Sequence, residues 1–586
     1  MQYSSFGDVF PEKIIQSGKK SRFFKISEEK KARMSRDWIF ILMLILGLGF
    51  LSARLFTLTV IEGSTFRNLA EGNRIRETKM TVPRGIIYDR NKEALVRNIP
   101  SFISQSRGVS FESGQSVKEA RESIEREYIL GPLFAHVLGY TGEIDGEELK
   151  ERKQTEKKLT IGDKVGKMGI EKSYDEILRG LDGKELVEVD ALGNKIRVLG
   201  KVDATAGEPL YLTIDRSLQE IAQKELSDKK GAVIVTNPRS GEILVLYSSP
   251  SFDPNAFVKD KDIEKILNDS SQPLFNRSIS GLYPPGSTFK IVTSIAALEY
   301  GVITQNTKIE DTGVLEIGQF SFGNWYFTQY GKKEGFVDIV SALKRSNDIF
   351  FYKVGEMEGI ERLAKWAKKV GLNTRLGVDI PGEEEGTMPD PVWQEKTKGE
   401  RWYLGNTYHV AIGQGDILTT PLQVNAWTNV IASGGKLCRP HLNNLGNSSL
   451  SRAESRGNLC KDVGIKRETI ELIREGMREA CSLGGTGWPL FKFKIENEKL
   501  KIDGVDYFET YESTTSANRL VEISTACKTG TAEFGDPKGR THAWFTVFAP
   551  VSNPQISVTV LVEGGGEGSN VAAPIAKKIL GGWFSR

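Results

Sequence analysis

From Trp38 to Ala53 the chain reads WIFILMLILGLGFLSA, with no ionisable side chain. A helix that is apolar on every side belongs in a bilayer, and this one dictates how the rest of the chain is arranged. Arg54 closes the strict run, but Leu55, Phe56 and Leu58 prolong it, and an arginine there reaches the interface with its stem along the helix. A spanning helix needs roughly 17–25 residues, which predicts an anchor over 38–58. Lys13, Lys19, Lys20, Arg22, Lys25, Lys30, Lys31, Arg33 and Arg36 precede it. Positive charge stays cytoplasmic, so the tail 1–37 is expected inside and everything after the anchor outside. That basic region is long for a cleaved signal, and Leu51-Ser52-Ala53 is a poor cleavage site, so the anchor is expected to persist. No later apolar run is long enough to span, which leaves the chemistry to the part beyond the anchor.

With 586 residues the chain exceeds one ordinary core, and two or more domains are expected. Hydrophobic residues make up 39% and charged ones 26%, a globular balance. The net charge is only +3 and the obvious basic cluster is N-terminal, which argues against a nucleic-acid partner. The four cysteines, Cys438, Cys460, Cys481 and Cys527, form no CxxC pair, against a zinc or thioredoxin-like site. Disulfides are open to them in an oxidising compartment, with the pairing undetermined. His136, His409, His441 and His542 are scattered without ligand spacing and read as structural. No metal and no cofactor are expected.

Residues 61–201 are mixed and charge-rich, with short strand-like runs at 184–189 and 195–198 joined by Ala191-Leu192-Gly193-Asn194. This reads as an elongated α+β pedestal. A strand at 210–215 and a helix over 218–226 follow. Residues 232–235 and 242–247 then form a hairpin about the turn Asn237-Pro238-Arg239-Ser240-Gly241. Near the end, 520–526, 543–548 and 555–562 read as three antiparallel strands, and 571–580 as a helix. An α+β core, an antiparallel sheet with helices packed on it, is expected.

Three short motifs carry the chemistry. In Tyr283-Pro284-Pro285-Gly286-Ser287-Thr288-Phe289-Lys290 the prolines and glycine force a turn, and Phe289, Ile291, Val292, Ile295 and Leu298 then repeat at helical spacing. Ser287 therefore stands at a helix N-terminus, where the dipole favours negative charge, and Lys290 follows one turn later on the same face. A lysine kept neutral by burial or by other cations can take the proton of such a hydroxyl. Ser346-Asn347-Asp348 offers a second hydroxyl for relaying a proton, although taken singly it reads as a helix cap. Lys528-Thr529-Gly530-Thr531 would give an edge strand a cation, a hydroxyl and a bare glycine, so that an extended peptide can pair closely with it. Alone, each reads equally well as a cap or a surface turn.

In this order, S-x-x-K, S-x-D and K-T-G make the chain resemble the class B, monofunctional penicillin-binding proteins. The resemblance includes Pro83-Arg84-Gly85-Ile86-Ile87-Tyr88-Asp89-Arg90-Asn91 and Ala135-His136-Val137-Leu138-Gly139-Tyr140. It extends to Gly169-Ile170-Glu171 with Tyr174-Asp175, and to Ile412-Gly413-Gln414-Gly415 with Thr420-Pro421-Leu422-Gln423. Asp348, where many relatives have Asn, and His542-Ala543-Trp544-Phe545 resemble the elongation type rather than the division type. The resemblance implies a penicillin-binding/serine β-lactamase-like transpeptidase domain over 207–586 on a pedestal, the dimerisation-type domain, over 59–206. It implies a D-Ala-D-Ala transpeptidase in which Ser287 attacks the stem peptide and Lys290 is the base. Ser346 and Lys528 pass the proton to the departing D-alanine, and Asp348 orients Ser346 or Lys290. The N–H groups of Ser287 and Thr531 form the oxyanion hole, while Thr529, Gly530 and Thr531 hold the donor. Implied partners are stem peptides on lipid-linked or nascent glycan, β-lactams as covalent mimics, and a polytopic glycan polymerase of the shape, elongation, division and sporulation family.

Lys92 stands where the family usually has Gly, which is expected to alter a turn and not the chemistry. The stretch 100–128 is short, which implies a reduced head. The polar segment 491–518 resembles an insertion and reads as a solvated hairpin. Against a serine β-lactamase stand the pedestal and the uncleaved anchor, which a hydrolase does not need. Against a β-lactam receptor stands the short basic tail, without a signalling fold. Against a scaffold stand three intact motifs.

Overall fold

The computed structural model describes residues 30–109, 116–152, 159–190, 195–444, 459–496, 510–511 and 520–586. The chain forms two compact units, 1–78 with 184–201, and 79–183 with 202–586.

The first unit carries the helix Lys30–Phe56, continued by a π-helical turn Thr57–Ile61. Its apolar part, Asp37–Ile61, is 25 residues long, about 37 Å at 1.5 Å per residue, enough for the roughly 30 Å core of a bilayer. Its side chains from Asp37 to Phe56 are exposed, as a helix facing lipid requires. A second helix, Gly63–Arg74, leads into strand Ile75–Met80, which edges a three-stranded sheet with Gly183–Val189 and Lys195–Val202.

In the second unit, residues 79–183 do not stand apart: they share one compact body with the region of the motifs. Strands Ala94–Val109 and Ser116–Tyr128 make a long antiparallel ribbon. At the ribbon's base, buried Glu171 accepts from Arg84 at 2.8 Å and from Arg126 at 2.7 Å, which explains the Pro83-Arg84-Gly85 and Gly169-Ile170-Glu171 segments together. Gly85 lies so close to Glu208 that an added Cβ would stand 1.8 Å from its carbonyl oxygen. Lys92, expected to alter a turn, takes φ +67°, the conformation glycine adopts freely, while Asp89 accepts from the N–H groups of Asn91 and Glu93 on either side.

The main body runs, in chain order, α1 (Arg216–Leu226), β1 (Gly231–Thr236), β2 (Ile243–Ser249), α2 (Lys290–Glu299), α3 (Ile339–Arg345), α4 (Asp348–Glu358), α5 (Pro421–Ser433), α6 (Arg467–Ala480), β3 (Ala526–Glu533), β4 (Thr541–Ala549), β5 (Ile556–Val562) and α7 (Ala572–Phe584). Its five strands pair antiparallel in the order β2-β1-β5-β4-β3, leaving β3 at an edge among the described residues. One face buries Val233, Val245, Phe545 and Val560 against Leu218, Ala222, Ile575 and Ile579 of α1 and α7. The other meets α5 through a buried polar ladder: Asn425 reaches Thr236 and Thr559, and Thr428 meets Thr546 at 2.9 Å. Phe289 and Trp427 pack edge to face beside it.

Two sequence expectations are corrected here. The strand expected at 210–215 is only Leu210–Tyr211, because Asp215 turns to cap α1 by accepting from the Leu218 N–H. The strand expected at 520–526 divides. Leu520–Glu522 joins Lys494–Glu496 and Thr510–Tyr511 in a separate three-stranded sheet, while Ala526–Glu533, with Lys528-Thr529-Gly530-Thr531 inside it, is the strand of the main sheet. Most of the expected solvated hairpin at 491–518 lies outside the described residues. The cysteines left unpaired by sequence form two disulfides, Cys438–Cys460 and Cys481–Cys527.

Candidate active site

Ser287 owes its position to two glycines. Gly286, at φ +53°, donates its N–H to Gly413 O at 2.8 Å, and a Cβ there would lie 2.9 Å from Thr531 O. Gly413, at φ +76°, passes so close that its own Cβ would stand 2.1 Å from Gly286 O. The Pro284-Pro285-Gly286 turn thus wedges between the 412–415 loop and β3. Residues Gly286–Phe289 form one 3-10 turn, and the α-helix begins only at Lys290, so Ser287 sits at a tighter helix start than the periodicity predicts. Ser287 is half-buried at the mouth of a cleft of roughly 1380 Å³.

The cleft is lined by Ser287, Ser346, Asp348, Thr529, Gly530 and Thr531, while Lys290 and Lys528 lie fully buried beneath it. Lys290 Nζ donates to Asp348 Oδ1 at 2.6 Å, to Ser346 O at 2.8 Å and to Ser346 Oγ at 3.3 Å. Lys528 Nζ donates to Ser346 Oγ at 2.8 Å and to Thr529 O at 3.1 Å. One hydroxyl therefore stands between two buried amines. Burial pushes the Lys290 amine below its ordinary value of 10.5, although the Asp348 carboxylate opposes the fall. Lys528 is pushed well below the same value, by burial first and by the charge of Lys290 second, and among the described residues no carboxylate is hydrogen-bonded to it. Asp348 thus favours a proton on Lys290 more than on Lys528, so the two amines differ in their hold on a proton while sharing one hydroxyl.

β3 contributes through its alternation. Thr529 and Thr531 line the cleft, and Thr529 Oγ1 meets Thr486 Oγ1 at 2.8 Å. The bare face of Gly530 turns inward, where a Cβ would meet Trp544 Cβ at 2.9 Å, Thr288 Cγ2 at 3.0 Å and Pro285 O at 3.1 Å. This glycine lets the strand lie against the Ser287 turn, while its backbone lines the cleft. Gln414 Nε2 reaches Thr531 O at 3.2 Å and fixes the 412–415 loop to the strand.

All eight predicted site residues converge on this region. Thr486, Trp325, Arg345, His409 and Trp488 also line the cleft and were missed. Gly485-Thr486-Gly487 carried a signal: a Cβ on Gly485 would lie 2.2 Å from Ala480 O, and one on Gly487 2.3 Å from Cys527 Sγ. Of the histidines, His136 and His441 meet backbone carbonyls, of Pro273 and Arg439, as structural residues do. His542 lines the cleft, stacks on Phe534, and is pushed by burial down to about 4. Among the described residues no cluster of acidic, histidine or cysteine side chains could hold a metal.

A half-buried serine on a turn, two buried lysines sharing a second hydroxyl, and an open sheet edge define a serine enzyme of the acyl-transfer class. The family model described as penicillin binding protein transpeptidase domain matches residues 231–581, and the penicillin-binding protein dimerisation domain matches 112–212. The chain is 30% identical to the peptidoglycan D,D-transpeptidase MrdA of Acinetobacter baumannii, over 95% of this chain and 89% of that one. In the complex between penicillin-binding protein PBP2 and MreC from Helicobacter pylori, the matching chain is 29% identical with a TM-score of 0.71, covering 86% of this chain and 98% of that one. A structure described as the structural coordination of polymerization and crosslinking by a peptidoglycan synthase complex matches at 25% identity and a TM-score of 0.69, over 94% and 98%. The chain belongs to the penicillin-binding protein transpeptidase family.

Proposed function

We propose that the chain is a peptidoglycan D,D-transpeptidase of the elongation type, which cross-links stem peptides through an acyl-enzyme on Ser287. The observation that carries the reading is the Ser346 hydroxyl held between the amines of Lys290 and Lys528. Ser287 Oγ attacks the carbonyl between the last two D-alanines, and its proton passes to Lys290. Because Lys290 rests beside Asp348, it must hand a proton on, through Ser346 to Lys528, and from there to the departing D-alanine. The N–H groups of Ser287 and Thr531 receive the oxyanion, where losing one donor costs about 2.7–4 kcal/mol. Thr529 and Thr531 hold the donor carboxylate, and the donor lies along the open edge of β3. An amine of a neighbouring stem then attacks the acyl carbonyl, its proton passes by way of Lys290 to Ser287 Oγ as the ester bond breaks, and free Ser287 returns.

The tail 1–37 is cytoplasmic and the anchor 38–58 is single-pass, with 59–206 as the pedestal and 207–586 as the transpeptidase domain outside. The basic N-terminal residues support that direction. Two disulfides beyond the anchor fit an oxidising compartment. β-Lactams acylate Ser287 in place of the donor. The synthase-complex relative supports a polytopic glycan polymerase as partner.

Labelling the full chain with a fluorescent penicillin, followed by a chase, tests the reading. A stable label lost in Ser287→Ala, together with cross-linking of a stem-peptide donor to an amine acceptor, is the expected result. A label released within seconds would make the protein a hydrolase, and a label without cross-linking would make it a receptor.

A further inference from the structure

Ser346 has a costly backbone. It closes α3 at φ 55° and ψ 39°, the left-handed region, which crowds the Cβ of a residue with a side chain. The residues on both sides of it are tied to one carboxylate. Arg345 Nε donates to Glu334 Oε1 at 2.6 Å, and Asn347 Nδ2 donates to Glu334 Oε2 at 2.9 Å. Asn347 cannot turn its amide over, because its Oδ1 caps α4 by accepting from the Phe350 N–H at 2.9 Å. Glu334 must therefore be an acceptor on both oxygens.

Asp348 is held in the same manner from the other side. Asn324, fully buried, accepts from the Asp348 N–H at 3.1 Å and donates to Asp311 Oδ2 at 2.9 Å. The next N–H along, that of Trp325, donates to Asp348 Oδ2 at 2.9 Å and turns Oδ1 toward Lys290. Asp311 closes the circuit by accepting from the Glu334 N–H at 2.9 Å. None of Asp311, Asn324 and Glu334 lies in a catalytic motif.

We propose that Asp311, Asn324 and Glu334 form a brace whose function is to position Ser346 and Asp348 for proton transfer, with Asn324 and Glu334 as positioning residues of the acyl-transfer reaction. The proposal rests on the acyl-enzyme reading given above. Without the brace, Ser346 relaxes out of its left-handed conformation and Asp348 swings off Lys290. The groups facing Lys290 are the Asp348 and Glu334 carboxylates, the Lys528 amine and the Phe351 ring at 5.4 Å. Asn324 is uncharged, so replacing it alters the lysines only by displacing Asp348.

The test measures acylation of the full chain in detergent by a fluorescent penicillin, as a second-order rate constant across pH, in Asn324→Ala, Asp348→Asn and the double variant. In Asn324→Ala the constant should fall about 10²-fold, the scale of a misplacement near 1 Å. The acid limb of its pH profile should move to lower pH, because a displaced carboxylate no longer holds the proton on the lysine pair. In the Asp348→Asn background the same change should move the limb no further. A constant within about threefold of the parent, a limb that stays in place, or a limb that moves equally in both backgrounds would each overturn the proposal. If Asn324→Ala does not melt cooperatively, Glu334→Gln carries the test: Arg345 and Asn347 each donate to a different oxygen of Glu334, and the amide sets an NH2 against one of these donors. Its rate should then fall in the parent background far more than beside Asp348→Asn, and equal falls would overturn the brace. A parent chain that takes no label would instead defeat the acyl-enzyme reading, which keeps the two failures apart.

Discussion

Replacing Asp348 by asparagine changes one charge and almost no volume at the centre of the site. Lys290 Nζ and Asp348 Oδ1 are 2.6 Å apart, with the lysine fully buried. At an effective dielectric of about 20 that separation is worth about 6 kcal/mol of Coulomb attraction. Taking each ion out of water opposes it by several kcal/mol. The surplus is measurable as proton affinity. An opposite charge at this range raises an amine by about 1–3 pH units, or about 1.4–4 kcal/mol at 1.36 kcal/mol per unit. Burial already holds Lys290 below 10.5, and Asp348 works against that fall. The same carboxylate also raises Lys528. Removing it lowers both amines, so whichever lysine governs the acid limb, that limb moves to lower pH. The amide in the Asp348→Asn variant would also offer one oxygen to two donors, Lys290 and the Trp325 N–H, so the rate on the plateau falls as well. Penicillin acylation followed from about pH 5 to pH 10 reads both effects. A limb that stays in place, or that moves to higher pH, would refute the assignment of Asp348 as the group that sets the lysine pair.

Glu171→Gln strands the buried guanidinium of Arg126 without its carboxylate, leaves Arg84 only Asp175, and should cost about 3–5 kcal/mol in urea unfolding; a loss under about 1 kcal/mol would show that the cluster is dispensable. Replacing Cys481 and Cys527 together by Ser reopens a span of 46 residues, for which chain entropy gives about 4 kcal/mol, and an unchanged urea midpoint would remove the entropic account. His136 is held neutral by burial, its value pushed from 6.5 to about 4. The unfolded chain binds that proton first, so stability falls as pH drops through this window, by about 2 kcal/mol between pH 7 and pH 5, and His136→Gln should flatten that part of the decline. A decline of the same slope in the variant would assign it to other groups.

What was legible in the sequence follows from physical range. Anchor, hairpin and the Pro284-Pro285-Gly286 turn are local: an apolar run, two alternating stretches about a Gly turn, and a forced bend before a helical period. The three motifs could be read because each holds its chemistry within four residues. β3 was harder. Lys528-Thr529-Gly530-Thr531 has no apolar alternation, since one face lines a cleft and the other lies against the Ser287 turn, so the apolar stretch just before it looked like the strand. Ser557, Thr559 and Thr546 look like solvent-facing positions in their strands, yet are buried against Asn425 and Thr428. Four cysteines allow three pairings, which only tertiary structure selects. Asn324 and Glu334 are single polar residues in a loop, meaningful only when brought beside Ser346 and Asp348.

The unpaired side of β3 is also a hazard that this enzyme must carry through its whole working life. An open strand is a template for any extended chain, including a second copy of the same strand, and most proteins cover theirs. On the function proposed above it cannot be covered, because the donor peptide would lie there. What stands in for a cover is local: the Ser287 turn lies across part of the strand, and the exposed carboxylate of Glu533 ends it in the cleft. A negative charge there repels the same strand of a neighbouring copy while leaving room for a peptide that brings no acid to that position. The strand is thereby kept available to its substrate and unattractive to itself, a form of solubility control written into the catalytic edge.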